Sequence, residues 1–445
     1  MRVSARVKVS VLGLGYIGLP TAAMLALGGH EVSGFDISPR VRAGLRRGAE
    51  HVADLEVRKL AVDALATGRF AVADEIERAN AYIICVPTPN AMDGRPDLTY
   101  VHDATAAIAP MLRKGDLVIL ESTVPPGTMD RVVAGALRER GISPDEVLLA
   151  HCPERVIPGA IVRELKENSR IMGGRTPEAA RAAKDLYASF VQADMFETDC
   201  ATAELVKVIE NTFRDVNIAL ANELALLCEE LGIDAWEAIS LANKHPRVNI
   251  LQPGPGVGGH CIPIDPHFLA DANPFLTELI QTARRVNARM PNHVVRRIRE
   301  LVPESDGGTK IALLGASYKA NVDDSRESPT ERIDELLREH GYETAIYDPV
   351  ASGFKRPLAP TLESALERAD ALVLVVDHDA FRPLDPGAVA KSMRGRIIID
   401  ARNLFDPVRW ERAGFEVHTL GRRSDAKQRL SQVGERPKRV TAGMS

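Results

Sequence analysis

The stretch GPGVGGHCIPID, residues 254–265, sets Cys261 behind four glycines in six positions and follows it with Asp265. A thiolate is a strong nucleophile. Glycine loses more conformational freedom on folding than any other residue, so such a cluster marks backbone that needs positive φ or a close approach. Lys207, Asn211 and Arg214 stand at i, i+4 and i+7 of a helical pattern and share one face. Removing a hydride from an alcohol needs a group for the hydroxyl proton and a donor for the developing oxygen charge, and a lysine and an asparagine can supply both. Gly13, Gly15 and Gly18 form G-x-G-x-x-G between a strand pattern and a helix pattern, and Asp36 closes the next strand pattern. That context reads as a dinucleotide site: the glycines admit the pyrophosphate, the helix N-terminus favours its charge, and the acid holds the ribose hydroxyls. Asp36 would repel a 2′-phosphate, so NAD is favoured over NADP.

Joined together, these residues predict a specific chemistry. A thiolate adds to the aldehyde left by a first hydride transfer, the thiohemiacetal loses a second hydride, and the thioester is hydrolysed to a carboxylate. The glycines then read as letting the backbone fold closely around the reacting carbon. Each feature also has a plainer reading: an exposed amphipathic face for the helix stripe, a small core residue for Cys261, strand-to-helix packing for Gly13, Gly15 and Gly18.

The elements that must position these residues recur. KVSVLGLGY (8–16) resembles KIALLGASY (310–318), ANAYIICVP (79–87) resembles ADALVLVVD (369–377), and GDLVILEST (115–123) resembles GRIIIDARN (395–403). Each is a short β-rich run, and helical patterns lie between them, which is the signature of parallel βαβ units. The expected fold is α/β: two doubly wound Rossmann-like domains joined by a long central helix. AELVKVIENTFRDVNIALANELALLCEELG (203–232) has no internal glycine or proline and reads as a helix of roughly 40 Å, closed at Gly232. A second helical pattern runs from about Thr277 to Leu301. The expected domains are 1–198, binding NAD; 199–302, helical, with the cysteine loop and dimer contacts; and 303–420, binding the second ligand. A basic tail, 421–445, has seven lysines and arginines against two acids and the composition of a disordered segment.

The second copy reads Ala-Ser-Tyr-Lys after Gly315, without further glycines, and is expected not to bind NAD. It carries Lys319, Arg326 and the loop VDDSRESP instead. Basic side chains at the mouth of a doubly wound sheet suit a phosphorylated ligand; a solvated loop is the alternative.

Composition sets the outer limits. The 445 residues suffice for two or three domains, and a net charge of −5 with 26% charged residues argues against a nucleic-acid or membrane-surface partner. Five cysteines, widely spaced and without C-x-x-C, argue for a reducing compartment and against a metal site. The apolar N-terminus outlines a signal peptide, but the strand-turn-helix reading fits its glycines better. No run of 18 apolar residues occurs. The expected place is the cytoplasm.

VLGLGYIGLP, STVPPGT, CPERVIPG, the Lys207–Asn211 helix, GPGVGGHC and DDSRESP together resemble the successive motifs of the UDP-glucose/GDP-mannose dehydrogenase family, from about residue 8 to 420. The resemblance implies an NAD-dependent UDP-sugar 6-dehydrogenase with Cys261 as covalent nucleophile, Lys207 and Asn211 as the oxyanion and proton-handling pair, and Asp265 ordering them. It implies that Thr123 and Glu154 place the hydrolytic water, with Glu154 as base. Tyr16, Ile17, Asp36, Thr88 and Thr123 would line the NAD site beside the three glycines. Arg155, Val156, Arg214 and Gly258 would meet the nucleotide sugar together with Lys207 and Asn211. Lys319 and Arg326 would hold it too, and His245 and Arg247 would reach it from a neighbouring subunit of a homodimer or higher homo-oligomer.

TFRDVNIALANELALLC and LANKHPRVNILQPGPGVGGHCIPIDP are similar to the branch that oxidises UDP-N-acetyl-D-mannosamine to UDP-N-acetyl-D-mannosaminuronate for surface polysaccharides. The glucose branch carries a lysine where Ile264 stands, which favours an N-acetylated hexosamine; UDP-N-acetyl-D-glucosamine is the alternative. Ser317 and Tyr318 replace the family's more usual Ala-Phe. Two rivals stand beside this reading. A one-step 3-hydroxyacid dehydrogenase explains neither Cys261 nor the second unit, and a silent NAD/nucleotide-sugar sensor would release no NADH.

Overall fold

The structure, a computed structural model, describes residues 6–50, 52, 54–89, 96–157, 159–304 and 308–422; the basic tail lies, from 423 onward, outside the described residues. Two compact units divide the chain, Met1–Phe213 with Ile264–Gln281 and Arg214–Pro263 with Thr282–Ser445.

In the first unit, short, mostly apolar runs form β1 (Lys8–Leu12), β2 (Glu31–Phe35), β3 (Phe70–Val72), β4 (Ala81–Ile84), β5 (Leu117–Leu120) and β6 (Leu148–His151). β7 (Arg170–Gly174) and β8 (Met195–Asp199) follow, and the sheet order is β3-β2-β1-β4-β5-β6-β7-β8. Its first six strands stand in the dinucleotide-binding order, and among the described residues only β6 and β7 pair antiparallel. β1, β4 and β5 are buried on both faces, as a sheet covered by helices requires. Val9, Val11 and Ile83 face one apolar cluster, while Leu12, Tyr82 and Ile84 face another.

The second unit repeats the plan with β9 (Lys310–Leu314), β10 (Glu343–Tyr347), β11 (Ala371–Leu374), β12 (Ile397–Asp400) and β13 (Glu416–Thr419), all parallel in the order β10-β9-β11-β12-β13. The three recurring segments fall on β1, β4, β5 and on β9, β11, β12, the same neighbouring places in both sheets. The repeat in sequence is thus a repeat in topology.

The long helix is Cys200–Leu231, and both units draw residues from it. It ends as its sequence predicts: Gly232 has φ +72° and the Ile233 N–H donates to the Cys228 carbonyl at 2.9 Å, a left-handed cap that spares a side chain strain. The second helical pattern forms Glu278–Leu301.

Candidate active site

The glycine turn after β1 separates three roles. A Cβ on Gly13, whose φ is +88°, would sit 2.3 Å from the Cys85 carbonyl oxygen, and one on Gly18 would sit 1.9 Å from the Gly13 oxygen. Neither position accepts any other residue without moving backbone. At Gly15 a Cβ would meet nothing within 4 Å, so the backbone there is open to a ligand. Turn, open approach and close packing in that order are what a pyrophosphate over the N-terminus of helix Gly18–Leu27 requires. Asp36, just past β2, accepts the N–H of Leu14 at 2.9 Å and of Ser38 at 2.8 Å, which pins the acid beside the turn. The residues therefore fit NAD. Tyr16 is exposed and Ile17 half-buried at the same turn, and the Thr88 hydroxyl donates to the Thr123 carbonyl at 2.7 Å, tying the β4 and β5 ends together.

Still within the first unit, Lys207 is half-buried and Asn211 is buried one turn later on the long helix. The Asn211 amide nitrogen donates to the carboxylate of Asp265, the buried first residue of helix Asp265–Ala272. An acid as partner fixes which end of the amide donates. Arg155 is committed within the protein: its guanidinium bonds Glu210 at 2.7 Å and the Ser169 carbonyl, while Val156 beside it is half-buried. Glu154 is buried, with one carboxylate oxygen on the Arg155 N–H at 2.5 Å and the other on Arg170. On the STVPPGT loop, buried Glu204 accepts the N–H groups of Gly127 and Met129, anchoring the segment that carries Thr123 to the long helix.

In the second unit Cys261 is exposed, and none of the described cysteines is in a disulfide. The glycines before it answer to protein. A Cβ on Gly258 would lie 2.5 Å from the Glu327 oxygen, and one on Gly259, at φ +90°, would lie 2.9 Å from the Tyr318 ring. A Cβ on Gly254 would meet the Arg402 guanidinium at 2.5 Å. Sequence reading assigned the glycines to a substrate; the structure shows them admitting Tyr318, Glu327 and Arg402 of the second Rossmann-like fold. The Gly259 N–H donates to the Arg326 carbonyl at 3.2 Å, so the cysteine loop is stitched to the SRESP loop. Arg326 itself is exposed and grips Asp324 at 2.9 and 2.6 Å. That bond, against the opposing effect of burial, raises its pKa, and the nearby Asp324 and Cys261 charges add to the rise. Burial and then Arg326 hold His260 below its ordinary pKa. Lys319, Arg214, His245 and Arg247 are exposed.

Asn217 and Asn222, which sequence reading passed over, clamp the other end of this loop. Asn217 bonds the Asn249 carbonyl and the Leu251 N–H at 2.8 and 2.9 Å, and Asn222 accepts the Gly254 N–H at 2.8 Å and donates its amide nitrogen to the Asn287 side-chain oxygen at 2.9 Å. Asparagine is a poor residue for a helix interior. Its repetition at 211, 217 and 222 was the available signal.

The second copy of the fold has its own acid, Asp348, just past β10 where Asp36 stands past β2. Its carboxylate is taken by the N–H groups of Ala316, Ser317, Val350 and Ala351 at 2.7–2.8 Å and by His378 at 3.0 Å. Burial opposes ionisation, yet these donors outweigh it and hold the group well below the ordinary carboxylate range. An acid so engaged is poorly placed to hold ribose hydroxyls.

Comparison with known families agrees with this division of parts. The NAD binding domain of the UDP-glucose/GDP-mannose dehydrogenase family matches residues 7–191, its central domain 201–289 and its UDP binding domain 312–407. The chain belongs to the UDP-glucose/GDP-mannose dehydrogenase family. It is 44% identical to a UDP-N-acetyl-D-mannosamine dehydrogenase of Methanocaldococcus jannaschii, over 93% of this chain and 96% of that one. An NDP-N-acetyl-D-galactosaminuronic acid dehydrogenase of Ralstonia solanacearum is 43% identical over 90% of this chain and 97% of its own. The solved UDP-D-ManNAc dehydrogenase of Pyrococcus horikoshii superposes with a TM-score of 0.86 at 42% identity, covering 93% of this chain and 99% of that one. As a member of the UDP-glucose/GDP-mannose dehydrogenase family this chain is an NAD-dependent oxidoreductase with a UDP-sugar substrate. No helix among the described residues is long and apolar enough to cross a membrane.

For an enzyme of this family, the two folds should be separable by ligand. Asp36→Asn, which keeps an acceptor for the Leu14 or Ser38 N–H, is expected to weaken NAD binding roughly 10- to 100-fold, the loss of hydrogen bonds to a charged group. UDP binding should stay near the wild-type value. Calorimetric titration with each ligand checks this, and equal loss of both would contradict it.

Proposed function

We propose that the enzyme oxidises UDP-N-acetyl-D-mannosamine at C6 to UDP-N-acetyl-D-mannosaminuronate through a thioester on Cys261. The observation that carries the reading is an exposed thiol on a glycine loop only four residues before Asp265, the acid that orients Asn211 one turn beyond Lys207. Bound NAD supplies the acceptor for one hydride in each of two oxidation steps. Lys207 takes the C6 hydroxyl proton as the first hydride leaves, and the Asn211 amide supports the oxygen's charge. The Cys261 sulfur then adds to the aldehyde carbon, and loss of the second hydride from that carbon leaves a thioester. Water, placed by Thr123 and deprotonated by Glu154, adds to the carbonyl; the C–S bond breaks, releasing the carboxylate and the thiolate. Arg155, Val156, Arg214, Lys319, Arg326 and the backbone of Gly258, whose missing side chain admits Glu327, are the proposed contacts of the nucleotide sugar, with His245 and Arg247 contributed by a second subunit.

The homodimer draws support from the long helix, on which Leu205, Ile209, Phe213, Leu220, Leu227 and Leu231 are 37–61% exposed, an apolar stripe of the kind that marks a protein interface. Reduced, scattered cysteines suit a cytoplasmic place.

The mannosamine assignment rests on the 44% identical relative and on Ile264. A relative of galactosaminuronate chemistry at 43% makes the choice of sugar the point to test. Supplied with NAD and, in turn, the UDP-activated N-acetyl forms of mannosamine, glucosamine and galactosamine, the enzyme is expected to prefer the first by at least about 10-fold in kcat/KM, the discrimination that a small change in the fit of one group commonly gives. Equal or faster oxidation of either of the other two sugars would overturn the assignment.

A further inference from the structure

β7 begins with a residue that no apolar core calls for. Arg170 is 3% exposed, and its guanidinium lies over the rings of Tyr187 and Phe190, 5.0 and 5.7 Å from their centroids. It meets two carboxylates. One nitrogen donates to Glu121 at 3.2 Å and the other to Glu154. The two acids are held differently. Glu121, at the end of β5, also accepts the Cys85 thiol at 3.0 Å and the Tyr187 hydroxyl at 3.2 Å. Glu154 has, besides Arg170, the N–H of its own neighbour Arg155. Burial pushes the Cys85 thiol and the Tyr187 phenol well up, so both remain neutral donors to Glu121.

A buried cation between two acids stabilises a fold no better than apolar side chains of similar volume. Its position suggests another use. Cys85 backs the NAD turn, its Cβ 2.9 Å from where a Gly18 Cβ would stand, so one cluster inside the first unit runs from the glycine fingerprint to Glu154.

We infer that Arg170 is a positioning residue for the hydrolytic half of the reaction: it holds the Glu154 carboxylate in one orientation, with Glu121 as the second carboxylate that fixes the guanidinium. The inference rests on the reading of Glu154 as the base that takes a proton from the water adding to the Cys261 thioester, with the C–S bond breaking to release the thiolate. Removing the guanidinium leaves the Glu154 carboxylate without the side chain that fixes its orientation.

Rapid-quench kinetics with NAD and the UDP-sugar separate NADH release from uronate release. Arg170→Gln is expected to keep the NADH burst and to slow hydrolysis roughly 100-fold, as a small misplacement of a catalytic group does. Arg170→Lys should restore part of the rate. Should Arg170→Gln fail to fold, Arg170→Lys carries the test, with hydrolysis slowed and hydride transfer retained. Hydrolysis at the wild-type rate in the Arg170 variants, alongside slow hydrolysis in Glu154→Gln, would overturn this inference alone. Equal slowing of hydride transfer and hydrolysis would overturn it as well, since it marks general damage. Wild-type hydrolysis in Glu154→Gln would remove the underlying reading of Glu154.

Discussion

Cys261→Ala protein is expected to form no uronate while binding NAD and the UDP-sugar as the wild type does. The sulfur is the atom that holds the substrate carbon between the two oxidations, and an alanine offers no bond to it. Lys207, Asn211 and the NAD turn remain, so the alcohol-to-aldehyde step keeps its proton acceptor and its oxygen donor. At completion the wild type should release two NADH per sugar. The variant should release at most one. Because Gly258 and Gly259 are pressed by Glu327 and Tyr318 rather than by the thiol, shortening Cys261, which is exposed, should leave the melting temperature nearly unchanged. A Cys261→Ala protein that still makes acid would contradict the covalent route.

Glu154→Gln should fail later. Both hydride transfers precede the need for a base toward water, so NADH should appear in a burst and then at a slow steady rate. Loss of one general base slows its step roughly 10²- to 10⁴-fold. Glutamine also retains an oxygen for the Arg155 N–H or the Arg170 guanidinium, the two partners of the native carboxylate, so the local frame should survive. Stopped-flow absorbance of NADH checks the prediction; turnover at the wild-type rate with no burst would contradict it.

The sequence reveals those parts of this molecule whose cause is local. The fingerprint glycines are explained by contacts among Gly13, Gly18 and Cys85, at the ends of strands whose patterns are plain, and the long helix is announced by the absence of glycine and proline before Gly232. The two Rossmann-like folds are legible because three strands of each keep the same runs of residues in the same sheet places. The glycine loop was legible as an exception but not in its cause. Its neighbours Tyr318, Glu327 and Arg402 come from a fold that begins about fifty residues later, and nothing near residue 258 encodes them. The Arg170 cluster was hidden for the same reason. Cys85, Glu121, Glu154, Arg170 and Tyr187 each look ordinary in sequence and converge only because β4, β5, β6 and β7 lie side by side. Asn217 and Asn222 could have been caught, since buried or bonded asparagines are the economical reason for weak helix formers in so long a helix.

The thioester itself can be weighed. Glu154→Gln protein, mixed with NAD and UDP-N-acetyl-D-mannosamine and quenched in acid during its slow phase, is to be examined by intact-protein mass spectrometry and then by peptide mapping. The account predicts a protein heavier by one nucleotide-sugar acyl group, with the added mass on the peptide that carries Cys261 and removable by hydroxylamine, which cleaves thioesters. Unmodified protein throughout the slow phase, or the added mass on any other residue, would contradict it.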